Sequence, residues 1–308
     1  MFIEFEKWHG CGDDFVVIWT SPNQYKNIGP SLIRKSVEIC ARHSGIGADG
    51  ILVLVHSPEK EVPEELVIIN SDGSLADTCG NGIRCAAVSI YQAQLMKSKS
   101  ALDSVVLKAG SVSYLCQFLP QKPALPLVQV DMGPCTLDQA NSWHKSAVSF
   151  VNELLKKRKL EFSFESIHTG QLANQHLIFL LDKEAPLSLL RELGQALQNS
   201  PHWDGINVSF VHKIHTRDTD HPSALRHLKK SDSLKVFIWE RGAGETQACG
   251  SAACAIASTI LETELLSRDS WVPMQFPGGW LFAKQEEASG DVQLSGPAEF
   301  VFSGKLPL

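Results

Sequence analysis

The sequence predicts a mixed α/β or α+β protein built from two related domains. Three observations lead there. Strand-like and helix-like segments alternate along the chain. The 308 residues correspond to about two domains at roughly 100–200 residues each. A Cys-Gly-(Asn or Ser)-small run also occurs twice, at Cys79 and at Cys249, once in each half.

The opening residues, Met1 to Lys7, alternate apolar and charged side chains as a strand does and lack the unbroken apolar run of a signal peptide. Further strands are expected at 15–19, 50–55, 66–70, 105–107, 127–130, 176–181, 208–211 and 234–240. Helices are expected at 31–43, 82–95, 147–157, 188–197 and 250–261. A Pro-bearing stretch at 119–126 is the expected linker, giving an N-terminal domain at 1–126 and a C-terminal domain at 127–296. The polar segment 212–233 reads as an exposed loop or lid. Its His212, His215, His221 and His227 lack the rigid spacing of a metal site, so no metal is expected.

Composition narrows the function classes. With 44% hydrophobic and 20% charged residues the chain can bury an ordinary core. The net charge of -6 and scattered basic residues argue against nucleic acid as a partner. The densest basic run, Lys156 to Lys159, reads as a solvated helix end. No apolar run approaches the roughly 20 residues of a membrane helix, so no membrane partner is expected and the cytoplasm is the expected location. Thiols stay reduced there. None of the eight cysteines forms a C-x-x-C pair, which argues against zinc and thioredoxin-like chemistry. Most are expected to be buried and inert. Gly45 to Gly50 matches G-x-G-x-x-G, but a dinucleotide site needs a strand before and a helix after. Here a helical stretch precedes and a strand follows, so these glycines read as a tight turn.

The repeated motif carries the chemistry. Cys79-Gly80-Asn81-Gly82 and Cys249-Gly250-Ser251-Ala252 each open an apolar, small-residue helix, and Asn and Ser suit helix N-termini. A cysteine at such a terminus meets the positive end of the helix dipole and free backbone N–H groups, which favour the thiolate. The same N–H groups bind carboxylates. Two such helices meeting head to head across a pseudo-twofold axis would offer one anion two cysteines and a nest of donors. Inverting an amino-acid α-carbon needs that arrangement: one group removes a proton from one face, another delivers a proton to the opposite face, and backbone donors stabilise the developing charge.

At these residues the chain resembles the diaminopimelate epimerase family. The strongest matches are Asn70 to Cys85 and Glu240 to Ser251, supported by His9 to Phe15, Gly45 to Gly50, Gly205 to Val208 and Ser295 to Ala298. The resemblance covers nearly the whole chain. It implies an α+β fold of two pseudo-symmetric domains, each with mixed strands wrapped around a central helix, and a last strand near 299–303 that returns to the first domain, so that 297–308 belong with it. It implies interconversion of LL- and meso-diaminopimelate without pyridoxal phosphate, metal or other cofactor, a step in lysine and peptidoglycan precursor synthesis. Cys79 and Cys249 carry over as the two bases. His176 and Glu240 carry over as the groups that tune them. Asp13, Asn70, Gly80, Asn81, Asn174, Asn207, Glu240, Arg241, Gly250 and Ser251 fall at substrate-contacting positions, and a homodimer is the candidate assembly. Asp13 stands where the family usually has Asn, Gln175 where it has Pro, and Ala252 where it has Gly. Asp13 motivates a second reading, a racemase of relaxed specificity that also accepts substrates such as glutamate. A third is a redox sensor in which the two thiols close into a disulfide.

Overall fold

The computed structural model describes residues 2–57, 59–60, 62–63, 65–98, 100–119, 126–137, 142–159, 162, 164–200, 205–214, 233–263 and 271–308. The chain forms two compact units: Met1–Asp131 with Ser295–Leu308, and Met132–Leu294. Most of the expected linker, 120–125, lies outside the described residues, as do 215–232 of the expected loop.

The first unit opens with β1 (Phe2–Gly10) and β2 (Asp13–Thr20), an antiparallel hairpin whose last pair is Gly10 and Asp13. Its two turn residues, Cys11 and Gly12, both have positive φ, 55° and 84°, as a type I′ turn requires. In α1 (Pro22–Cys40) Ser21 caps the N-terminus by accepting from the Gln24 N–H at 3.2 Å. This helix begins well before the expected residue 31. Pro22 sits where its missing N–H costs nothing. The interior Pro30 is exposed and has no N–H to give to the carbonyl of the exposed Lys26.

β3 (Gly50–Val55) runs parallel to β2 and antiparallel to β4 (Glu65–Asn70), which pairs with the short β5 (Leu75–Ala76). After α2 (Gly80–Ser98), β6 (Ser104–Ala109) lies parallel to β4 and makes a hairpin with β7 (Val112–Leu119). β8 (Leu127–Pro134), paired with β7, carries the chain into the second unit.

After β9 (Thr136–Leu137) and α3 (Ser142–Arg158) the second unit repeats this order. β10 (Ser166–Leu172) and β11 (Asn174–Leu180) form the hairpin, and α4 (Leu187–Gln198) follows. β12 (Asn207–Ile214) is parallel to β11 and antiparallel to β13 (Ser233–Glu240), which pairs with β14 (Gly244–Glu245). Then come α5 (Gly250–Glu262), β15 (Val272–Phe276) parallel to β13, and its hairpin partner β16 (Gly279–Gln285). His212 to Ile214 and Ser233 thus belong to strands rather than to the expected loop. β17 (Asp291–Gly296) leads back, and β18 (Glu299–Pro307) pairs antiparallel with β1.

Each unit wraps its strands around one helix. In the first, α2 packs against β1, β2, β3, β6 and β7; in the second, α5 packs against β9, β10, β11 and β16. Residues 80–90 of α2 and 250–261 of α5 are buried on every side, which suits their small apolar composition. The outer helices close separate cores. Ile28 and Leu32 of α1 meet Val16, Ile51 and Val53. In the second unit Leu190 and Leu193 of α4 meet Phe179 and Phe210, whose rings stack at 4.9 Å. No helix among the described residues is long and apolar enough to cross a membrane.

Candidate active site

The expected residues fall into two groups, one in each unit. In the first, Cys79 directly precedes α2 and is half-buried. Its carbonyl accepts from the Ile83 N–H at 2.8 Å, and its Sγ accepts from the Gly82 N–H at 3.4 Å, so the sulfur takes the place of a capping oxygen. A Cβ on Gly82 would lie 3.2 Å from that sulfur. Gly80 and Asn81 occupy the first turn. Asn81 is buried, and its Nδ2 donates to Asp13 Oδ2 at 2.9 Å. Behind it lies Arg84, with no exposed surface. Its Nη2 donates to Asn81 Oδ1 at 2.6 Å and its Nη1 to the Gly80 carbonyl at 3.2 Å. Asn70 closes β4, and its Nδ2 donates to Ser74 Oγ at 2.8 Å within the turn that leads to Cys79.

The Gly45–Gly50 segment is the tight turn the sequence suggests. The N–H groups of Ile46 and Gly47 return to the Ile39 carbonyl at 2.9 and 3.2 Å, and a Cβ on Gly45 would collide with the Glu38 carbonyl. Arg42 grips Asp14 with two nitrogens, at 2.9 and 3.1 Å, and reaches Asp49 at 2.6 Å. Burial pushes the Asp14 carboxyl up, but hydrogen bonds from Arg42 and Lys7 and the Lys7 charge outweigh it and hold the group down at about 2.

The second group is denser. Cys249 caps α5, buried, with its sulfur 3.4 Å from Ser251 Oγ; Gly250 begins the helix. Glu240 ends β13 and is held from two sides. Thr246 Oγ1 donates to its Oε1, and Gln198 Nε2 donates to its carbonyl at 2.7 Å. His176 and Asn207 are register partners across β11 and β12. Asn207 Oδ1 accepts the Arg241 N–H at 2.8 Å, while its Nδ2 is buried without a partner among the described residues. Arg241 also reaches Asn174 Oδ1 at 3.3 Å. Its stem covers Gly205, where any Cβ would lie 2.4 Å from the Arg241 Cδ.

Two titrations stand out. Burial pushes the Cys249 thiol well above the ordinary value, and the adjacent Glu240 charge adds to the rise against the smaller pull of Ser251 and the Ala252 backbone. This corrects the expectation that a helix N-terminus lowers both thiols. At Cys249 desolvation and a neighbouring carboxylate outweigh the helix end. His176 is completely buried. Burial pulls the imidazole down to about 4, with the Leu172 backbone opposing, so the ring is neutral at pH 7. Five of the six other thiols are held protonated by burial, which raises Cys11 and Cys40 to about 11 and Cys116 to about 12 and also raises Cys85 and Cys135.

The diaminopimelate epimerase family model matches residues 5–137 and 169–301, one match for each repeat. The chain belongs to the diaminopimelate epimerase family. Among curated relatives, diaminopimelate epimerase of Carboxydothermus hydrogenoformans is 33% identical over 98% of this chain and 99% of its own length. Diaminopimelate epimerase 1 of a Nostoc strain is 30% identical over 99% and 100%. Among solved structures, a PhzF-family phenazine biosynthesis protein of Bacillus anthracis aligns over the whole of both chains with TM-score 0.66 at 12% identity. A probable proline racemase of Agrobacterium radiobacter aligns over 99% and 93% with TM-score 0.63 at 10% identity. At such identities these two show the fold alone.

Against this diaminopimelate epimerase frame, sequence reasoning missed the residues that hold the named ones. Thr246 and Gln198 fix Glu240, and Arg84 fixes Asn81. One signal was present for Arg84: it is the only charged residue in an otherwise apolar and small-residue run, 79–90.

Proposed function

We propose that the chain interconverts LL- and meso-diaminopimelate by proton transfer at one α-carbon, with Cys79 and Cys249 acting from opposite faces and no cofactor taking part. The observation that carries the reading is the duplication itself: two repeats of one topology each place a cysteine at the N-terminus of the buried central helix. The raised Cys249 is the resting acid, which gives its S–H proton to the substrate. Cys79, with a backbone N–H on its sulfur, is the base. The substrate Cα–H bond breaks, its proton goes to Cys79, the Cys249 proton arrives on the other face, and the two sulfurs exchange protonation states. The reverse reaction uses them in exchanged roles.

Glu240 and neutral His176 set the protonation of Cys249. Arg241 suits a carboxylate through its planar fork, and Asn70, Asn174, Asn207 and the helix-terminal Gly80, Asn81, Gly250 and Ser251 complete the substrate contacts. We place the protein in the cytoplasm and assign it a homodimer. Val106 and Leu115, register partners 50% and 42% exposed on β6 and β7, support the dimer, and sedimentation checks it. The deciding experiment incubates reduced protein with LL-diaminopimelate in deuterated water. Deuterium at the α-carbon together with meso product is expected. Folded, reduced protein that gives neither overturns the reading.

A further inference from the structure

The two residues before Cys79 are tied to the hairpin that follows its helix. Tyr114, the third residue of β7, is buried, and its hydroxyl lies 2.9 Å from the Asp77 carbonyl and 2.5 Å from Thr78 Oγ1. A carbonyl only accepts, so the phenol proton goes to Asp77. A phenol has a single proton, so Thr78 is the donor at the other contact. Burial pushes the Tyr114 hydroxyl above its ordinary value against the smaller pull of Thr78, and charge on Asp77 or Cys79 adds to the rise. That proton is therefore in place at neutral pH. The Asp77 carboxyl also sits over Gly110 in the β6–β7 turn, where any Cβ would collide with it.

The second unit makes the same tie by other means. The carbonyl two residues before Cys249 is that of Gln247, and it accepts from the Gly278 N–H at 2.9 Å. Gly278 lies in the turn between β15 and β16, the hairpin that follows α5. Each repeat thus anchors the carbonyl two residues before its cysteine to the hairpin after its central helix. One anchor is a backbone N–H, which keeps its place whatever the side chain. The other is a single phenol, which a substitution can remove.

We propose that Tyr114 is a positioning residue for Cys79: by binding both Asp77 and Thr78 it fixes the peptide that enters α2, and so holds the Cys79 sulfur against the Gly82 N–H, 3.4 Å away. This rests on the reading of Cys79 as the base. It deepens that reading by naming what sets the base in place from outside the helix.

The test follows two readouts in wild type, Tyr114→Phe, Thr78→Val and Thr78→Ser. One is kcat and KM for LL-diaminopimelate. The other is the pH dependence of Cys79 alkylation by iodoacetamide in reduced protein, read from the mass of the Cys79 peptide. Tyr114→Phe removes the hydroxyl and keeps the ring. Its kcat is expected to fall about tenfold or more, with KM changing less than about threefold, since a shift of about 1 Å in a reacting group can cost about 100-fold. Its alkylation midpoint is expected to rise by about half a pH unit or more, because a thiolate that loses a backbone donor is less favoured. Thr78→Val is expected to move both readouts the same way by less, and Thr78→Ser, which keeps the hydroxyl, to match wild type. A purely structural Tyr114 would lower the melting temperature and leave both readouts in place. With an active wild type, either readout unmoved in folded Tyr114→Phe overturns the proposal, and Thr78→Val decides on the same readouts if the phenylalanine variant does not fold. A Thr78→Ser as impaired as Thr78→Val overturns the part given to the Thr78 hydroxyl. A wild type inactive on diaminopimelate defeats the functional reading alone, and the alkylation profile then decides whether Tyr114 sets Cys79.

Discussion

Cys79 and Cys249 hold equivalent places in two repeats, but their surroundings differ. At the same spacing upstream of each cysteine the first unit has Asn70 and the second has Glu240. In the hairpin strand that pairs with the start of the next parallel strand, the first unit has Phe15 against Gly50 and the second has His176 against Asn207. Cys249 therefore has the Glu240 carboxylate beside it, while Cys79 has a backbone donor on its sulfur and precedes a helix whose first turn carries the Arg84–Asn81–Asp13 chain. A helix N-terminus is common to both, so it cannot assign their roles. In the proposed mechanism burial and one carboxylate separate them, since both push the Cys249 thiol up.

The comparison breaks most directly on the cysteines. Cys79→Ala and Cys249→Ala are each expected to cost about 10³-fold or more in epimerisation, measured as meso product from the LL isomer. Wild-type turnover in either variant would show that one unit suffices. The next effect is at Glu240. Glu240→Gln, which copies the neutral amide of Asn70, removes the charge that helps raise Cys249. The alkaline limb of the pH–rate profile is expected to move to lower pH, with kcat down on the order of tenfold to a hundredfold. Thr246→Val, which removes one hydrogen bond from the Glu240 carboxyl, is expected to move the limb the same way by less. A limb that stays in place in both variants would disconnect Glu240 from Cys249.

His176→Phe, which copies Phe15, sharpens the contrast through stability. The folded-state value of about 4 lies below the ordinary 6.5, so the unfolded chain binds the proton first. The His176 contribution is fully present above about pH 6.5 and is lost as pH falls toward 4, at up to about 1.4 kcal/mol per pH unit and about 3 kcal/mol in all. Denaturant titrations between pH 7 and 4 should show a shallower acid decline in His176→Phe, and an identical decline would mean that the ring protonates in the folded protein. The smallest expected effect is at Gly242, whose φ is +79° with open space where a Cβ would go. Gly242→Ala should cost about 1 kcal/mol through backbone strain alone.

The two central helices were legible because period, composition and cap agree. Expected at 82–95 and 250–261, they run Gly80–Ser98 and Gly250–Glu262. α1 begins at Pro22 and not at the expected residue 31, and it accommodates Pro30 in its interior because that residue faces water. The named site residues sit at strand ends and first helical turns, where short motifs mark them. The Cys249 titration could not be read from the motif, because desolvation depends on what packs over the sulfur and not on its neighbours in sequence. Arg84, Thr246 and Gln198 escaped for the same reason, since each matters through a partner that only the fold brings near.

The first unit is not a continuous piece of chain. β1 takes β18 as a neighbour, and the whole second unit lies between them in sequence. The second unit is contiguous, so it can assemble from its own residues while β1 still has an unpaired edge. During synthesis the unit begun first is thus completed only after the second, and its open strand is the stretch most in need of protection from other chains until β18 emerges.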